Sequence, residues 1–127
     1  MLALVDTVEG MLEVNLETEE VAPGEGSVEP QRVETGLPRV VCSAAAGSTV
    51  VAVVDARPPL LVSHDAGVTW RESGRGLPPG FAIAVHEDDP DVMLFAGRNR
   101  LYLSRDGGRF WHPLGIELPD IEAVELG

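Results

Sequence analysis

The sequence predicts an all-β protein made of propeller blades, each a sheet of four antiparallel strands, and three observations carry that expectation. The octet "SHDAGVTW" at 63–70 returns as "SRDGGRFW" at 104–111, 41 positions later. The dipeptide Leu-Pro recurs at Leu37-Pro38, Leu77-Pro78 and Leu118-Pro119, at spacings of 40 and 41. Between these marks lie short apolar runs such as "TVVAVVDA" (49–56) and "DVMLFAGR" (91–98). Four such runs in about 40 residues is the length of one blade.

The elements follow in order. "MLALVDTV" and "MLEVN" open the chain and match the second and third runs of the later repeats. "RVVCSAAAG", "TVVAVVDA" and "PLLVS" then lead into the first octet, and "PGFAIAVHE", "DVMLFAGR" and "RLYLS" lead into the second. The third copy stops after one run, "DIEAVELG". The expected blades are therefore 39–78, 79–119, and 120–127 joined with 1–38, the joining strand coming from a second chain. The runs are apolar on both faces, as strands sandwiched between sheets must be. They are too short and too β-branched for buried helices.

Three blades do not close a ring, which takes four to eight. An open arc would leave two apolar faces and raw edges in water. Two chains supply six blades, so the expectation is a homodimer forming one six-bladed propeller. The plainer alternative is a monomeric β-sandwich of about ten to twelve strands.

Composition narrows the function. Twenty-one acids stand against nine arginines and no lysine, a formal charge of −12 that repels phosphate backbones, so nucleic acid is not an expected partner. Apolar residues are 44% of the chain, yet no run suits a membrane span. "MLALVDTVEG" lacks a basic leader region. The single cysteine, Cys42, sits among apolar residues and reads as a small buried hydrophobe. A cytoplasmic location is the expectation.

The octets follow S-x-D-x-G-x-[TF]-W. Asp65 and Asp106 can accept hydrogen bonds from amides just downstream. Gly67 and Gly108 fall where the backbone needs a positive φ. Trp70 and Trp111 open the returning strand and can cover the hairpin base. With Ser63 and Ser104, these residues form a structural staple.

Both octets resemble Asp-boxes, the bacterial neuraminidase repeats found in sialidases, sortilin-type receptors, some xyloglucan hydrolases and photosystem II assembly factors. The stretch "AIAVHEDDPDVMLFAGRNRLYLSRDGGRFW" (82–111) is similar to whole blades of the non-sialidase members. The resemblance implies a structural role for the boxes, away from the functional face. The first repeat departs from it: Asn15, Glu17, Glu19 and Ala22 stand where the others have Ser, Asp, Gly and Trp. That hairpin is expected to lack its staple, and the acidic "PGEGSVEPQ" (23–31) after it to be a mobile, solvated loop.

No catalytic constellation emerges. The only tyrosine, Tyr102, lies two residues before an octet and reads as a packed ring, which argues against sialidase chemistry. The acids offer no defined pair for glycoside hydrolysis. "HEDDPD" (86–91) fits no calcium loop. His64, His86 and His112 lack ligand spacing, and no phosphate-cradling or nucleophile motif occurs. No metal or cofactor is expected.

Loops joining second to third strands share one propeller face with the entries to the first strands. Arg39, Arg57, Arg98, Asn99 and Arg100 fall on that face. The expectation is a non-catalytic interaction or assembly module whose arginines take an anion or an acidic protein segment. Alternatively, the arginines pair with local acids such as Asp55 and Glu9. The rival function is a carbohydrate-binding or hydrolytic Asp-box propeller.

Overall fold

The computed structural model describes residues 1–127. Twelve strands and no helix make up the chain: β1 Leu2–Thr7, β2 Gly10–Asn15, β3 Val21–Pro23, β4 Val40–Ala46, β5 Thr49–Val54, β6 Leu60–Ser63, β7 Arg71–Ser73, β8 Ala82–Val85, β9 Met93–Ala96, β10 Leu101–Ser104, β11 His112–Pro113 and β12 Ile121–Leu126. No helix is long and apolar enough to cross a membrane.

The strands form three separate antiparallel sheets of four. The first has the order β12-β1-β2-β3, the second β4-β5-β6-β7 and the third β8-β9-β10-β11. Alternation along each strand decides which residues meet across a sheet. In the first sheet Ala3, Val5 and Val14 point one way and are buried, while Leu2 and Leu4 point the other. In the second, Leu60 and Val62 are inward and Leu61 outward.

The third sheet lies in the middle. Its β8 touches β4 on one side and β12 on the other, whereas β4 and β12 do not touch. Met93, Leu94, Phe95 and Ala96 are all fully buried because both faces of β9 are covered. Leu94, Ala96, Leu101 and Leu103 pack on the first sheet. Ile83, Met93 and Phe95 pack on the second, with Val51, Val53 and Leu60. Burying a side chain the size of Phe95 contributes about 1.5–3 kcal/mol. Gly80 permits the close approach: a Cβ there would sit 2.5 Å from Phe95 Cε2 and 2.6 Å from Val53 Cγ1.

The structure corrects the expected source of the joining strand. β12 pairs with β1 of its own chain, Ala3 opposite Leu126 and Val5 opposite Val124. The reason lies in the connections. Gly74–Phe81 and Leu114–Asp120 are short and link sheets that pack together. Gly24–Arg39 is the longest connection in the chain and links the first and second sheets, which share no strand contact. That length carries the chain past the middle sheet, so both ends meet in one sheet.

At the start of this connection residues 23–31 are exposed as expected of a solvated loop, except for Gly24 and the buried Val28, and the chain beyond them docks on the second sheet. Ser43 Oγ accepts the Val33 amide at 2.9 Å and donates to the Val33 carbonyl at 3.2 Å. Gln31 Oε1 accepts the Ala45 amide at 2.8 Å, and Val28 is buried. The free edge of β4 needs partners for its backbone groups, and this segment supplies one while resting on the face beside it.

Candidate functional site

Each octet forms a tight turn at one end of its sheet. The buried Ser63 hydroxyl accepts the Asp65 and Gly67 amides at 3.3 and 2.8 Å and donates to Asp65 Oδ1 at 2.7 Å. Asp65 then accepts the Thr69 amide at 2.9 Å and the Thr69 hydroxyl at 2.5 Å. These bonds, the Thr69 hydroxyl foremost, hold the Asp65 carboxyl down at about 2. The backbone turns left-handed at Ala66 and Gly67, with φ of 59° and 88°.

The second turn repeats the design. Ser104 Oγ donates to Asp106 Oδ1 at 2.8 Å and accepts the Gly108 amide at 2.9 Å. Asp106 accepts the Phe110 and Arg109 amides at 3.0 and 3.1 Å, and the Phe110 bond leads in lowering its carboxyl pKa. Gly107 and Gly108 have φ of 72° and 85°.

Contacts between sheets build on these turns. Trp111 Nε1 donates to Ser73 Oγ at 3.1 Å, and its ring meets Phe95 edge to face at 6.1 Å. The Arg71 guanidinium donates to the Gly107 carbonyl at 3.1 Å. Trp70 is half-buried and makes no comparable bond to another sheet.

The first hairpin, expected to lack a staple, keeps one of another kind. Asn15 Oδ1 accepts the Glu17 and Thr18 amides, each at 3.0 Å, and Glu19 takes the left-handed position at φ 61°. Ala22 belongs to β3 itself and is exposed. Glu17 meets the N-terminal ammonium at 2.7 Å and Arg105 at 3.7 Å. The ammonium hydrogen bond is the main cause of its lowered pKa.

The arginine-bearing loops lie at the opposite sheet ends. Arg98, Asn99 and Arg100 lie against the connection into β12. The Arg98 and Asn99 carbonyls accept the Ile121 and Leu118 amides at 2.7 and 2.9 Å. Arg98 pairs with Asp120 at 3.1 Å and Arg100 with Glu117 at 3.2 Å, both in exposed positions. The Arg39 carbonyl accepts the Asp55 amide at 3.0 Å, beside the loop that carries Arg57. Arg39 and Arg57 form no ion pair, and no hydrogen bond joins their group to that of Arg98. The acids that engage arginines at this loop end are thus Asp120 and Glu117, rather than Asp55 and Glu9.

Other titratable groups are locally engaged. His64 Nδ1 lies 3.3 Å from Thr49 Oγ1, and His86 Nδ1 accepts the Asp88 amide at 3.1 Å in the turn between β8 and β9. Tyr102 packs edge to face on Phe95 at 5.8 Å. Half-buried Cys42 faces the second core, and the desolvation pushes its thiol up to about 12. No three His, Cys, Asp or Glu side chains converge as a metal site would require. A cleft of about 390 Å³ opens between β4, β8 and β12, walled by Glu29, Gln31, Glu87 and Glu125 over the alanines of β4. No family model, curated protein or solved structure matches the chain.

Proposed function

We propose that the chain is a non-catalytic interaction and assembly module of the Asp-box propeller type, two copies closing one six-bladed ring. One observation carries this reading. The innermost strands at the two ends of the arc, β4 and β12, stay apart, so the first and second sheets each keep one face with no sheet against it. A second three-sheet copy brings the total within the range that closes.

The loop end that carries Arg39, Arg57, Arg98, Asn99 and Arg100 is the proposed binding face for a small anion or an acidic segment of a protein partner. Exposed pairs such as Arg98–Asp120 contribute only about 0–1 kcal/mol, so an incoming carboxylate or phosphate can displace the resident acid. Arg39 and Arg57 have no acid to displace. The exposed Phe81 ring favours a carbohydrate instead, since its amide bonds to the Ala96 carbonyl beside the same loops.

Light scattering tests the ring: a particle of twice the chain's 13.5 kDa is expected. Binding is tested with acidic peptides and a glycan panel against the wild type and an Arg57→Glu/Arg98→Glu variant. Loss of acidic-peptide binding on reversal supports the arginine face. Undiminished binding removes it, and a specific neutral-sugar hit turns the reading to carbohydrate.

A further inference from the structure

We propose that the two outer sheet faces are the halves of one interface with a second copy of this chain, joined head to tail. The first sheet of each copy lies against the second sheet of the other. This inference rests on the ring reading above and names the surfaces that would close it.

The outer face of the first sheet is set by strand alternation. Ala3, Val5 and Val14 point into the core, so Leu2 and Leu4 point away from it. Leu2 is 42% exposed. Leu4 stands directly opposite Glu13 on one side and Glu125 on the other. With Leu2, Pro23 and Glu25 these residues line a groove of about 470 Å³. It is an apolar floor with carboxylate walls.

The outer face of the second sheet is different in character. Ser43, Ala52 and Leu61 cross it side by side, behind the core-facing Val51, Val53, Leu60 and Val62. The Gly24–Arg39 connection roofs the Ser43 end through Val33, and Val50, Ala52 and Val54 on the same face are buried as well, so the accessible part is the β6 side around half-buried Leu61. Trp70 stands at the octet position that Trp111 holds in the third sheet. Trp111 reaches across to a hydroxyl on the sheet it packs against, whereas Trp70 makes no such bond to another sheet.

Charge then chooses how two copies meet. Residues 1–23 and 120–127, which hold the four strands of the first sheet, carry nine acids and no arginine. Residues 24–78, the second sheet with the connection that lies on it, carry six acids and five arginines. Pairing first sheet with first sheet would set two strongly anionic surfaces together, an arrangement that like charge disfavours. Pairing first with second sets the anionic face against a nearly neutral one and avoids that repulsion.

The test uses two half-buried leucines, one from each face. The wild type is expected at twice the chain mass, and Leu4→Arg and Leu61→Glu are each expected to give a folded chain of 13.5 kDa. Mixing the two variants is expected to restore the larger particle. One interface of the mixed pair is then wild type on both sides, and the other sets the introduced arginine of one chain against the introduced glutamate of its partner. A dimeric wild type with both variants still paired, or with a mixture that stays apart, overturns the head-to-tail interface and leaves the ring. A wild type that stays monomeric at every concentration overturns both. Should either substitution unfold the chain, Leu4→Ala and Leu61→Ala replace them. Each is then expected to weaken self-association about tenfold, and unchanged association rejects the interface.

Discussion

The indole N–H of Trp111 donates to the Ser73 hydroxyl at 3.1 Å, and that hydroxyl donates in turn to the Gly108 carbonyl. A residue at the end of β7 thereby holds both the turn and the tryptophan of the neighbouring sheet. Ser73 is buried, so neither partner has water as a ready substitute. Ser73→Ala should cost about 1–3 kcal/mol, because it leaves a donor and an acceptor unmatched. Urea unfolding followed by tryptophan fluorescence checks this. An unchanged midpoint would mean the linkage contributes nothing.

Acid should weaken the fold through the two turn aspartates. Asp65 is held at about 2, mainly by the Thr69 hydroxyl, and Asp106 is lowered chiefly by the Phe110 amide. An unfolded aspartate titrates near about 3.9. The folded value lies below the unfolded one, so this stabilisation is complete above about pH 4 and disappears as pH falls toward about 2. Asp65→Asn should flatten the dependence in that window. A variant with the wild-type acid slope would remove Asp65 from the explanation.

Gly80→Ala should be among the most damaging single substitutions. The added methyl would press on Phe95 and Val53, both fully buried and unable to retreat. Overpacking of this kind costs about 1–3 kcal/mol. Thermal unfolding reads it directly, and a variant as stable as the wild type would show that the interface between the second and third sheets yields easily.

Cys42 should be chemically silent in the native protein. Its thiol is pushed up to about 12 by burial, and the thiolate is the reactive form. Iodoacetamide at mildly alkaline pH is expected to label the denatured chain readily and the native chain hardly at all. Equal labelling rates would contradict the burial.

The features readable from sequence are the local ones. Ser63, Asp65 and Gly67 lie so close along the chain that their spacing alone specifies which hydroxyl, carboxylate and amide can meet. The β-strand content is equally plain from short β-branched runs between turn residues. Relations across the chain are not readable. Arg98 and Asp120 are 22 residues apart, and nothing near either one names the other. Residues 23–31 read as a solvated loop because their composition is acidic and rich in Pro and Gly, and all but Gly24 and Val28 are exposed. Composition does not reveal that a strand edge elsewhere lacks partners. The source of the strand beside β1 poses the same difficulty, since a repeat shows that a sheet needs a fourth strand and not which copy provides it.

The pairing of β1 with β12 also bears on how the protein is made. Residues 2–7 leave the ribosome more than a hundred residues ahead of their partner at 121–126. At ordinary rates of translation that interval is on the order of ten seconds. Throughout it the first three strands have an open edge and no finished sheet. A nascent chain that is stalled or cut before Ile121 would keep that edge indefinitely, making truncated products the form of this protein most prone to aggregate.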